Sequence, residues 1–126
     1  IMKIILIDAW NTLVKNKKLD VDLYNLLEKF ENRKIILTNA NDNELIDYGI
    51  VEMPYDVFSL SHKPNKDDSL YFKLLIKKYK LSNTNLIYIE HNYEAVQSAM
   101  SIGIKTHHYN PKDSNDRIYQ FLLKNI

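Results

Sequence analysis

Four polar stretches in this chain follow directly on short apolar runs, and each carries groups able to handle a charged oxygen. Asp8 ends KIILID (residues 3–8), where a carboxylate at a strand mouth can attack an electrophile or hold a cation. Thr38 and Asn39 follow KIIL at 34–37, and a hydroxyl beside a backbone N–H can hold an oxyanion. Lys63 stands with His62 and Pro64 in a loop ahead of a long helical pattern, where its ammonium can neutralise a phosphate or orient Asp8. Glu90 and His91 follow LIYI at 86–89. A carboxylate oxygen suits Mg²⁺, whereas an imidazole nitrogen is better tolerated by Mn²⁺ or Fe²⁺. Each residue also has an ordinary role: Asp8 can cap a turn, Thr38-Asn39 can start a helix, and a loop lysine is usually just solvated.

What raises the set above its members is the order of the elements that carry it. Apolar runs at 3–8, 34–38, 55–60, 86–90 and 104–109 alternate with helical patterns at 19–31, 42–48, 67–80, 93–102 and 114–124. Such alternation predicts an α/β fold, a three-layer Rossmann-like parallel sheet of about five strands with helices on both faces. Ligands of such sheets bind outside the carboxyl ends of the strands, where Asp8, Thr38, Asn39, Lys63, Glu90 and His91 all project.

The 126 residues, 45% hydrophobic and 26% charged, fit one domain spanning 1–126. The absence of cysteine excludes disulfides, thiol nucleophiles and zinc fingers, and accords with a reducing, cytoplasmic setting. With 17 basic against 16 acidic residues the net charge is +1, which gives no nucleic-acid signal. No apolar run approaches the ~20 residues of a membrane span, and no signal-peptide layout is present.

In register, these stretches resemble the four motifs of the haloacid dehalogenase (HAD) superfamily, most of whose members are phosphohydrolases. ILIDAWNTL resembles the first motif, IILTNAN the second, SHKPNKDDSLYFKLL the third and LIYIEHNYEAVQSAMSIGIKTHHY the fourth, with Gly103 at a position where the family commonly has glycine. The resemblance implies that Asp8 attacks phosphorus to form an aspartyl-phosphate, while Thr38 and Lys63 hold the non-bridging oxygens. It implies Mg²⁺ held by Asp8, the backbone carbonyl of Trp10 and Glu90, with Mn²⁺ as an alternative.

The departures bear on activity. Phosphatases of this family have a second Asp two residues after the nucleophile as general acid and base, and here that residue is Trp10. An indole N–H donates a hydrogen bond but exchanges no proton near neutral pH. Losing a positioned acid–base group costs on the order of 10²–10⁴ in rate. Asn11 stands where a small residue, usually Gly, is found, and can still adopt a left-handed turn. Glu90-His91 replaces an acidic pair, adding a methylene at one residue and a nitrogen at the other.

An aromatic residue at position 10 also resembles the dehalogenases themselves, whose Asp attacks carbon without a metal. Those enzymes enclose their substrates under a cap, and neither the residues after Thr12 nor those between Thr38 and Lys63 suffice for one. The expectation is therefore a capless HAD-type domain of phosphatase type with weak or lost activity. Its partner would be a phosphorylated substrate or a macromolecule that covers an open site. The alternatives are a non-catalytic binding or regulatory protein on the same fold, and a metal-independent dehalogenase-like hydrolase. Lys15, Lys17 and Lys18 flank the Asp8 loop and either attract an anionic partner or are merely solvated. His107 and His108, adjacent on a strand, point to opposite faces and read as packing residues.

Overall fold

The computed structural model describes residues 2–126. A five-stranded parallel sheet runs β5-β4-β1-β6-β7, formed by β1 (Ile4–Asp8), β4 (Lys34–Leu37), β5 (Asp56–Phe58), β6 (Leu86–Glu90) and β7 (Lys105–His108). Five helices connect them: α1 (Val21–Leu27), α2 (Asp42–Asp47), α3 (Ser69–Tyr79), α4 (Tyr93–Ser101) and α5 (Asp116–Asn125). The predicted three-layer α/β architecture is the one observed.

Alternation along the strands sorts side chains onto two faces. Ile5, Ile7, Ile87 and Ile89 pack with Leu23 and Leu27 of α1 and Ile118 and Leu122 of α5. Leu6, Leu86 and Tyr88 pack on the other face with Tyr71, Phe72 and Leu75 of α3 and Ala99 of α4. Being buried on both faces, the central strands are apolar throughout, which is why they read as unbroken runs in the sequence. Ile7 pairs with Ile89 across β1 and β6. The next residues, Asp8 and Glu90, therefore end neighbouring strands at the same level. Both belong to the α3/α4 face, as the even-numbered residues Leu6 and Tyr88 do.

Some boundaries differ from the predicted ones. The predicted helix 19–31 is only Val21–Leu27, because the Asp20 carboxylate caps it by accepting the Leu23 N–H, and Leu19 belongs to a hairpin. That hairpin, β2 (Val14–Lys15) and β3 (Lys18–Leu19), is absent from the sequence reading. Its strands are two residues each, too short for a period-2 signal. Asn16 (φ 51°) and Lys17 (φ 63°) form its left-handed turn. Gly49 (φ +75°) passes so close to the tip that a Cβ there would lie 2.3 Å from the Lys17 carbonyl oxygen. Asn11 takes the left-handed conformation expected of it, at φ 62°.

Between Thr12 and α1 stands only the hairpin, and between Thr38 and Lys63 only α2 and β5. The described residues thus hold no cap domain. Among the described residues no helix is long and apolar enough to cross a membrane.

Candidate active site

The carboxyl ends of β1, β4 and β6 open into a cavity of about 360 Å³. Asp8, Thr38, Asn39, Glu90 and His91 line it, as the sequence reading expected, and Trp10 stands at its mouth. Lys63 does not line it. That lysine is exposed, and the one that reaches the carboxylates is Lys66. Its Nζ lies 2.5 Å from Asp8 Oδ1 and 2.7 Å from Glu90 Oε1, bridging the two acids. The loop takes this path because the Asn39 side-chain oxygen accepts the Lys66 backbone N–H at 2.7 Å and the Asn39 carbonyl accepts the His62 N–H at 3.1 Å. The Asn39 side chain thus holds the backbone of the lysine in place.

Asp8 is almost wholly enclosed, at 2% exposure. Besides Lys66, its Oδ2 accepts the Thr12 hydroxyl at 2.8 Å and lies 2.5 Å from His91 Nδ1. Burial pushes the Asp8 pKa up, but the Lys66 ammonium and the His91 hydrogen bond outweigh it and hold the carboxyl far below the usual carboxylate range. Glu90, with no exposed surface, shifts the other way. Burial and the neighbouring Asp8 charge raise its pKa, and Lys66 only partly offsets them. Its Oε1 also accepts the Tyr88 hydroxyl, and its Oε2 accepts the Asn92 N–H at 3.0 Å. His91 is raised because its contacts with the Asp8 and Glu90 carboxylates outweigh burial.

Tyr71 completes the support. Its hydroxyl accepts the Thr38 N–H at 3.1 Å and faces the carbonyls of Thr38 at 2.9 Å and Phe58 at 2.8 Å, tying β4 to β5 beneath the cavity. The Thr38 hydroxyl accepts the Ala40 N–H at 3.2 Å. At the mouth, His62 sits 2.5 Å from Glu44 and 2.8 Å from the Asn65 side-chain oxygen. The Trp10 ring lies 6.1 Å from those of both Tyr48 and His91. Lys15 is engaged by Asp20 at 2.8 Å and Tyr109 at 2.6 Å and is no free anion receptor. His107 packs on Phe121, and His108 meets the His91 carbonyl at 2.9 Å.

Asp8, Glu90 and His91 each offer a ligand atom, all within 4.8 Å of one another. As a magnesium site the set does not fit. All four carboxylate oxygens already accept hydrogen bonds from protein donors, and the third side chain offers nitrogen, whereas Mg²⁺ demands oxygen ligands in octahedral array.

The raised and lowered groups fix the sign of a pH dependence. His91 and Glu90, raised in the fold, contribute stability that is present at acid pH and lost as pH climbs through their folded values. Asp8, lowered, contributes stability lost only in strong acid. The urea midpoint should therefore fall as pH rises from mild acid through the Glu90 value of about 7 and on through the raised His91 value. In His91→Asn the decline should be shallower, and an equal slope in the two proteins would contradict this assignment.

No protein-family model matches the sequence, and no curated protein matches it. Solved structures do match in fold. A HAD-family enzyme from Bacteroides thetaiotaomicron, a variant in complex with magnesium and inorganic phosphate, superposes with a TM-score of 0.70 at 13% identity, covering 94% of this chain and 98% of that one. An uncharacterized protein from Corynebacterium glutamicum gives 0.64 at 18% identity, with 98% and 93% covered. A hydrolase from Streptococcus pneumoniae gives 0.60 at 19%, with 81% and 54% covered. Strand order and these likenesses agree: the described residues have the HAD-type α/β fold.

Proposed function

We propose that this is a HAD-type hydrolase of phosphatase type whose turnover is weak or lost. The observation that carries the reading is the state of Asp8, which stands at the nucleophile's place with both oxygens engaged. A carboxylate held by Lys66, Thr12 and His91 is a weaker nucleophile than a free one, because attack must break those contacts. In the reaction Asp8 would bond to phosphorus as the P–O bond to the alkoxide breaks, with Lys66 and Thr38 facing the non-bridging oxygens, and water would then cleave the aspartyl-phosphate to free Asp8 and phosphate. With Trp10 two residues beyond Asp8, that position supplies no proton to the alkoxide. A phosphorylated substrate, or a macromolecule covering the open site, is the partner that suits it.

A second reading is a binding module for a phosphorylated group, favoured by the same saturation of Asp8. Hydrolysis of p-nitrophenyl phosphate by the wild type and by Asp8→Asn separates the two. The hydrolase reading expects slow release that Asp8→Asn abolishes. Release indistinguishable between the two proteins would leave only the binding reading, and turnover at ordinary phosphatase rates would refute the impairment.

A further inference from the structure

We infer that His91 occupies the cation position of this site, so that the fold works without a divalent metal. Lys66 uses one oxygen of each acid, Asp8 Oδ1 and Glu90 Oε1. The remaining oxygens, Asp8 Oδ2 and Glu90 Oε2, are the pair from which a bridging cation would be bound. His91 Nδ1 stands between them, 2.5 Å from the first and 3.4 Å from the second. Adjacent ligands of an octahedral ion with bonds of about 2.1 Å lie about 3 Å apart. The Nδ1–Oδ2 pair is closer than that, a separation that fits a shared proton rather than a shared metal. Nδ1 is therefore an N–H donor, and that nitrogen has no lone pair to offer an ion.

Neighbouring contacts hold the His91 segment in place. The backbone carbonyl of His91 meets His108 Nε2 at 2.9 Å, and the imidazole stands edge-on to the Trp10 indole. Asn92, the next residue, caps α4 through the Ala95 N–H and gives its own N–H to Glu90 Oε2. The acidic pair expected at the end of β6 has thus become one acid and a resident proton donor. This holds whether or not the site turns over a substrate, since its test reads binding alone.

Trp10 is the chain's one tryptophan and lies against His91, so its fluorescence reports directly on the site. The full chain should be titrated with MgCl₂ and, separately, MnCl₂, following Trp10 emission and the melting temperature. The wild type should show no saturable change with either ion up to about 5 mM. His91→Asp, which supplies an oxygen ligand and removes the donor, should gain a saturable emission change and a melting temperature several degrees higher with Mg²⁺. If that variant does not fold, His91→Asn should show the same gain more weakly. Saturable binding of either ion by the wild type overturns the inference, and so does a folded His91 variant that stays blind to Mg²⁺.

Discussion

Lys66→Met should lower stability by about 3–5 kcal/mol, the usual cost of removing one partner from a buried ion pair. The replacement nearly preserves volume, so packing contributes little to the loss. What it removes is the ammonium between Asp8 and Glu90, which are 2% and 0% exposed and end neighbouring strands. Without the ammonium only His91 stands between the two carboxylates, and the Asp8 charge pushes Glu90, already raised, further toward its protonated form. For a domain of this size the loss corresponds to a fall of roughly 10–20 °C in melting temperature at neutral pH. Glu90 would then take up a proton, and acidification should restore part of the loss. Lys66→Met/Glu90→Gln should accordingly be more stable than Lys66→Met alone, a coupling a double-mutant cycle measures directly. Lys63→Met, at an exposed position, should stay within about 0.5 kcal/mol of the wild type. If the two lysine variants were equally mild, Lys66 would not be the residue that balances the site.

The contrast between those lysines marks how far the sequence could be read. Sheet order and the convergence of Asp8, Thr38 and Glu90 follow from apolar runs interrupted by helical patterns, signals that are local and strong. The choice of lysine is not local. Lys63 stands out in the sequence because it precedes Pro64, whereas Lys66 sits among Asn65, Asp67 and Asp68 in what reads as a solvated charged loop. Burial of Lys66 depends on Asn39, 27 residues earlier, accepting its backbone N–H, and on positive φ values at Ser61 and His62 that turn the loop inward. Tyr88 was legible in principle, since in LIYIE it shares the face of Glu90, but a tyrosine in a buried run reads as core. The hydrogen bond from His91 to Asp8 joins residues 83 positions apart. Only the register of β1 on β6 brings them together.

Trp10→Asp combined with His91→Asp should raise Mg²⁺-dependent hydrolysis of an alkyl phosphate by about 10²–10⁴ over the wild type, the usual contribution of a positioned acid–base group. Trp10 is half exposed, at 51%, so exchanging it removes little buried surface. A carboxyl group at that place, two residues beyond Asp8, can protonate the departing alkoxide, which the indole cannot. His91→Asp frees Asp8 Oδ2 and supplies the oxygen ligand that the inferred resident donor excludes. The two changes should act together, because an acid is of little use while Asp8 remains fully engaged, and a cation alone does not assist the leaving group. Leaving-group dependence makes the logic testable. A p-nitrophenolate leaves readily without a proton, so Trp10→Asp should matter far less for the aryl ester than for the alkyl ester. Equal gains on both substrates would show that the added carboxylate is not acting as an acid. If the double variant bound Mg²⁺ yet showed no gain on either substrate, the deficit would lie in Asp8 itself, clamped by Lys66 and Thr12, and the site would be better understood as one that binds a phosphoryl group without cleaving it.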